Sequence, residues 1–320
     1  MISNLSKMKR KQTLALILLL ILYLAAVSAP KIGIVKAGST IYLRADGSVE
    51  GTEKIHRDGN VYTFTEDLFD PIVVERDNVV LNGAGYTLQG DGSENGITLD
   101  DISNTTVKSL KLSNFNIGIV FMGSDDNKVL ENTITDNFRG LDLTASENNT
   151  ISGNYIANNN DGISLENIYN DIIDNAITNN SDTGIFLNGA GYNNIIGNNI
   201  TNNKRGIVVS LCYDNVIYHN NFVNNVNHVE TDDSIDVWDD GEEGNYWDNY
   251  TGLDSDEDGV GDTPYIIDEN NPEKYPLVES SEISEKERFP TLLAVAVTVT
   301  GVVISARSHY MLMEQSMKVI

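Results

Sequence analysis

Gly118-Ile119-Val120-Phe121, Gly140-Leu141-Asp142-Leu143, Gly162-Ile163-Ser164-Leu165, Gly184-Ile185-Phe186-Leu187 and Gly206-Ile207-Val208-Val209 follow one another at intervals of 22 residues. Gly96-Ile97-Thr98-Leu99 opens the series. A fixed period of this length marks a repeat architecture, in which each unit buries its apolar face against its neighbours. A second apolar register keeps the period: Val107, Val129, Ile151, Ile173, Ile195 and Ile217. A third runs Leu112, Ile134, Ile156, Ile200 and Phe222, with Ile177 one residue early. That shift is expected to be absorbed in the turn at 179–183. Three alternating registers per repeat predict three short strands per coil. The segments between them hold Gly, Asn, Asp and Ser, which accept turn and left-handed backbone. Runs of helical period and the spacing of a leucine-rich repeat are both missing. The expected fold is therefore all-β: a right-handed parallel β-helix, a solenoid of 22-residue, three-strand coils with N- and C-terminal caps.

Asparagine keeps the period too. Asn127, Asn149, Asn193 and Asn215 share one register, with Asp171 in the gap, and Asn132, Asn154, Asn198 and Asn220 share another. Stacked, they would form ladders that pair turn backbone groups otherwise buried without partners. The coils are assigned to residues 72–229. Residues 38–71, with extended segments at 41–55 and 61–65, would cap one end, and the acidic stretch 230–278 the other, because an uncapped coil offers open strand edges. Trp238 and Trp247, the two tryptophans, are expected to pack the acidic cap onto the last coil.

Residues 1–37 read as a signal peptide. Lys7, Lys9, Arg10 and Lys11 precede an apolar run from Leu14 to Val27, and Val35-Lys36-Ala37 fits a cleavage site. An uncleaved N-terminal anchor is the alternative. After a linker at 279–290, residues 291–306 are apolar, preceded by acids and followed by the basic-flanked tail 307–320. This order matches the positive-inside rule and suggests a transmembrane anchor, although the run is shorter than the roughly 20 residues of a typical span. A loosely associated tail is the alternative. The chain is thus expected to be exported and displayed at the cell surface. Its single cysteine, Cys212, excludes an intrachain disulfide. Sequons at Asn104, Asn148, Asn179, Asn199 and Asn249 permit glycosylation.

Six of the 21 Lys and Arg lie in residues 1–37 and two beyond 306, against one of the 47 acids, so 13 bases face 46 acids and residues 38–306 carry a formal charge of −33. Such a surface repels nucleic-acid phosphates and attracts cations. Nucleic acid is excluded as a partner.

Ile41-Tyr42-Leu43-Arg44-Ala45-Asp46-Gly47, Val79-Val80-Leu81-Asn82-Gly83-Ala84-Gly85-Tyr86-Thr87-Leu88 and Gly244-Asn245-Tyr246-Trp247-Asp248-Asn249-Tyr250 carry a family likeness together with the coils. Residues 38–278 resemble the NosD-like β-helix proteins, within the repeats shared by carbohydrate-binding proteins and sugar hydrolases, and the archaeal surface branch in particular. The resemblance implies the fold, and it implies copper handling. The residues do not suit copper, which favours Cys, Met and His. The exported part offers only His56, His219, His228, Met122 and Cys212, with no paired motif.

Asp254-Ser255-Asp256-Glu257-Asp258-Gly259-Val260-Gly261-Asp262 is the clearest site motif. Carboxylates of Asp254, Asp256 and Asp258, the Val260 carbonyl and Asp262 follow the order in which a loop wraps calcium. Tyr265 stands where an EF-hand has its bidentate Glu, so a structural Ca2+ of the extracellular-module kind is expected, with Asp268 as a further ligand. A plain acidic surface loop is the alternative. A catalytic site would lie on an outward strand face. Asp142 and Glu166 fall diagonally on adjacent coils, roughly 7–8 Å apart, in the range of an inverting glycosidase pair. Phe186 beside them could stack on a sugar. Any acid-rich solenoid makes such pairs, however. The motifs of polygalacturonases, pectate lyases and epimerases are not recognisable. The leading expectation is a non-catalytic binding or structural module for glycan or other envelope components. A polysaccharide-acting enzyme and a copper-binding protein are the alternatives. The oligomeric state is open.

Overall fold

The computed structural model describes residues 40–280, within the larger of two compact units, Ser39–Ile320. The expected signal peptide, C-terminal anchor and tail, and nearly all of the linker, lie outside the described residues. Among the described residues no helix is long and apolar enough to cross a membrane.

The fold is a right-handed parallel β-helix. One coil shows the plan. Strand Arg139–Thr144 lies in a first sheet, Thr150–Ser152 in a second and Tyr155–Ala157 in a third. Each pairs in parallel with its counterparts one coil before and one coil after. The sheets hold ten, ten and eight strands. Ile119, Leu141, Ile163, Ile185 and Ile207 stack down the inside of the first sheet, Val129, Ile151, Ile172, Ile195 and Ile217 down the second, and Ile134, Ile156, Ile177 and Ile200 down the third, all wholly buried.

The glycine period has a steric cause. A Cβ on Gly140 would lie 2.5 Å from the carbonyl oxygen of Gly162, and the same collision recurs coil after coil. Only glycine lets successive coils close to strand-pairing distance at this point.

Asparagine solves the other problem of the coil, its corners. Each corner Asn accepts through Oδ1 from the backbone N–H of the Asn one coil earlier: Asn132 to Asn154, Asn154 to Asn175, Asn175 to Asn198, Asn198 to Asn220 and Asn220 to Asn245, at 2.8–3.0 Å. Its Nδ2 donates back to a strand carbonyl, as Asn198 does to Ile172 at 2.7 Å. The first corner has the same ladder through Asn127, Asn149, Asn170, Asn193 and Asn215. The third corner has one that the repeat pattern had not suggested, through Asn137, Asn159, Asn180, Asn203 and Asn225.

Two expected positions are corrected. Ile172 faces inward in the second sheet, and Ile173 faces outward. Asn170 rather than Asp171 continues the first ladder. The corner before Asn170 is one residue shorter than its neighbours, and the residue is regained between Asn180 and Gly184. Asp171 instead accepts from the Asn194 side chain at 2.8 Å.

At the N-terminal end, Ile41–Leu43 and Val61–Phe64 extend the first and second sheets by one parallel strand each. Val49–Glu50 and Ile55–Asp58 then pair with them antiparallel and form the outer edges. His56, Arg57 and Asp58 on that edge oppose further strand addition.

Asn198→Ala should lower stability by about 2 kcal/mol or more, because it orphans the Asn175 N–H inside the molecule and removes the amide bonds to the Ile172 carbonyl and to Asn220. Equilibrium denaturation measures this. A loss below about 1 kcal/mol would mean that the ladder contributes little.

Candidate functional site

The C-terminal cap and the last coil bring His228, Asp236 and Glu273 together with Phe222, Trp238 and Trp247, all of them buried. Trp247, in the last strand of the third sheet, ends its inward register and stacks on Phe222 at 4.2 Å, and Tyr265 stacks on Trp247 at 4.3 Å. Trp238 and Trp247 are both buried, as the packing role expected of them requires. This column plugs the open end of the core.

Each asparagine ladder meets a different ending here. A ladder's last member has no further coil, so an acceptor without donors fits best. Glu273 ends the second-corner ladder: its Oε1 accepts from the Asn245 N–H at 2.7 Å, and its Oε2 from the Asn245 amide and the Trp247 indole at 2.8 and 3.0 Å. The first-corner ladder passes through Asp236, which accepts from the Asn215 N–H at 3.0 Å and its amide at 2.8 Å, to Asn271, which accepts from the Asp236 N–H at 3.0 Å and donates to the Ser234 carbonyl at 2.9 Å, and it stops at Asp268, which accepts from the Asn271 N–H. At the third corner, Asn225 lies 3.4 Å from His228 Nδ1, and His228 Nε2 is 2.9 Å from Asp248. Burial raises the Asp236 carboxyl above its usual range and pushes Glu273 up to about 8, against the pull of the Asn245 and Trp247 donors. Burial also lowers the His228 imidazole, with Asp248 opposing. A cavity of about 410 Å³ opens beside His228, between Asp248, Asn249 and Tyr265.

The acidic stretch from Asp232 to Glu243 is tied into this cap. Asp239 accepts from the Gly241 and Lys274 N–H groups, and Asp240 from those of Glu242 and Glu243. Glu243 lies 2.8 Å from His219.

In the candidate calcium loop, carboxylate oxygens of Asp254, Asp256 and Asp258 lie within 4.8 Å of one another. Backbone N–H groups of Asp258 and Gly259 bond Asp254, and that of Val260 bonds Asp258. Val260 bridges Leu277 through the Gly261 N–H and the Gly259 carbonyl, which leaves the Val260 carbonyl on the opposite edge. Asp262 stands outside the cluster, accepting from the Ser255 N–H at 3.0 Å and its hydroxyl at 2.6 Å. Asp268 is engaged elsewhere, by Asn270 and Asn271.

On the first sheet, Asp142 shares an outward row with Val120, Ser164, Phe186 and Val208. It is buried, paired with Arg139 and bonded by the Thr144 hydroxyl. Glu166 is exposed, just past the end of its strand, and Phe186 is half-buried.

The possible copper donors are dispersed. Cys212 is buried at the first corner with its thiol donating to the Ser210 carbonyl, and burial raises that thiol. His219 is at the second corner, His228 begins the next coil, and His56 is on the N-terminal edge strand. Among the described residues, the aspartate triplet is the one cluster of three or more His, Cys, Asp or Glu side chains close enough to share an ion.

Fold and caps define a member of the parallel β-helix class with an acidic, aromatic-plugged C-terminal end. The family model described as periplasmic copper-binding protein (NosD) matches residues 48–252, and the chain belongs to that family. A search of curated proteins found no match. Among solved structures, pectate lyase Pel9A is 15% identical, with 65% of this chain and 64% of that one aligned and a TM-score of 0.37. The enzymatically active domain of tailspike protein 2 of bacteriophage CBA120 is 17% identical, with 62% and 34% aligned and a TM-score of 0.39. The chain thus spans less than two thirds of either, and likenesses this distant carry no argument about activity.

Glu273 binds its proton more tightly folded than unfolded, so its contribution to stability is full below its ordinary value of 4.5 and is lost as pH rises through about 8. His228 works in the opposite sense, losing stability as pH falls below its usual 6.5. The difference between wild type and Glu273→Gln isolates the carboxyl. The melting temperature of wild type should fall relative to that of Glu273→Gln from about pH 5 to pH 8. Parallel curves would show that Glu273 does not titrate in the cap.

Proposed function

We propose that this NosD-family chain is an exported surface protein of the archaeal type, a non-catalytic module that binds glycan or other envelope components. The signal-peptide and anchor patterns of residues 1–37 and 291–306 support export and tethering. The observation that carries the non-catalytic reading is the state of Asp142: the better-placed acid of the candidate pair is buried in an ion pair with Arg139. A general acid or base needs a free oxygen at the substrate. The copper named in the family description finds no fitting donor set here, since its soft and imidazole donors lie at separate corners and the one thiol is buried.

The loop at residues 254–262 is proposed to hold a structural calcium ion through Asp254, Asp256, Asp258 and the Val260 carbonyl. Asp262 would join by turning from Ser255. An ion there would neutralise three crowded carboxylates and fix the cap against the last coil.

Incubating the full chain and calcium with a polysaccharide panel, followed by mass spectrometry, tests the first claim. Unchanged polymers are expected. Shortened or unsaturated products that vanish in Asp142→Asn or Glu166→Gln would establish an enzyme. Calcium should raise the melting temperature relative to chelator, and Asp256→Asn, which disturbs no backbone contact of the loop, should abolish the increase. Identical melting with and without calcium would remove the ion from the account.

A further inference from the structure

The first corner carries two rows of residues in left-handed backbone conformation. One runs Asn104, Asp126, Asn148, Tyr169, Tyr192 and Asp214, with φ from 51° to 59°. The other includes Asp101, Gly123, Ala145, Gly189, Leu211 and Asp233, with φ from 47° to 61°. Asn, Asp and Gly accept this conformation readily, whereas a bulky side chain there is an outlier. Tyr169, Tyr192 and Leu211 are the bulky exceptions. Burial does not repay their strain, because they are 51%, 43% and 58% exposed. Strain held by exposed side chains points to a use for them.

Tyr213 completes the group. Its ring packs against the preceding coil at Gly191, where a Cβ would come within 2.6 Å of the ring. It is 43% exposed. Tyr192 meets it edge-on at 5.4 Å and stacks on Tyr169 at 5.5 Å. The Asp214 carboxylate lies near the Tyr192 hydroxyl and, with burial, raises that phenol. The result is an aromatic platform across three coils, with hydroxyls and a carboxylate at its margin.

We infer that this platform binds a neutral pyranose chain, with the apolar face of one sugar ring on Tyr213 and sugar hydroxyls at Tyr192 and Asp214. This rests on the glycan-binding reading above and gives it a site and a ligand class. Three observations select the occupant. A flat ring edged by polar groups matches the two sides of a pyranose, apolar on its face and hydroxylated at its rim. Successive coils lie about 4.8 Å apart, close to the length of one sugar unit, so a chain running along the coils carries one unit at Tyr213 and the next at the level of Tyr192, whose ring stands perpendicular to it. The strongly acidic surface repels uronate or phosphate polymers, and it repels a second copy of the chain.

Calorimetric titration of the full chain with cellohexaose, xylohexaose, mannohexaose and chitohexaose, with oligogalacturonate as the anionic control, tests the inference. At least one neutral probe should bind. Tyr213→Ala should weaken it about tenfold or more, while Tyr213→Phe keeps most of the affinity. Both variants should melt close to wild type, since the ring is exposed. Undiminished binding by Tyr213→Ala would refute the platform and leave the glycan reading standing. Binding of no probe by wild type would sink the platform and its glycan reading together. Binding of oligogalacturonate alone would refute the neutral-ligand class. Self-association of wild type that Tyr213→Ala abolishes would identify a second copy as the occupant and overturn the proposal.

Discussion

A chain that turns three times in every 22 residues must bury the polar backbone of each turn, and in this protein asparagine meets that demand. The side chain suits it because a single short amide offers an acceptor to the coil before and donors to strand carbonyls. Aspartate would lack the donors and glutamine would overreach. Three such ladders, one per corner, run from Asn127, Asn132 and Asn137 to the C-terminal end of the coils. The apolar registers then need only fill the space between them, which is why plain Ile, Leu and Val suffice. Glycine at the start of each first-sheet strand sets the closest approach of coils and keeps all three ladders at bonding distance.

The same constraint shapes the C-terminal end. A ladder that runs out of coils leaves N–H donors pointing outward, and the cap receives two of the three with buried carboxyls, Glu273 directly and Asp236 with Asn271 behind it. Burying carboxyls makes the cap sensitive to pH in a way that the asparagine coils are not. The aromatic column through Phe222, Trp247 and Tyr265 closes the core behind these polar endings. The pH response and any effect of a bound cation are therefore concentrated at one end of the molecule, next to the coil that carries Tyr213.

Much of this was legible in the sequence. The glycine period fixed coil length, and the asparagine period announced two of the ladders. The third was hidden because its members sit in Asn-rich turns, such as Asn158-Asn159-Asn160, where any of three residues could face inward. The Ile172-Ile173 pair concealed the one-residue shift, since both are aliphatic and alternation alone cannot choose between them. Asp142 looked available because strand alternation predicts direction and not burial. The tyrosines of the first corner gave no signal at all: backbone φ is not written in residue type, and only the structure shows that Tyr169 and Tyr192 stand where asparagine and aspartate stand in neighbouring coils.

Native-state hydrogen exchange, resolved to single amides, tests the central claim most directly. If the ladders hold the solenoid together, the N–H groups of Asn154, Asn175, Asn198 and Asn220 should exchange as slowly as those of the strands they join, with protection declining toward the two ends. If these corner amides exchange at the rate of ordinary surface turns while the strands stay protected, the ladders are not what binds one coil to the next.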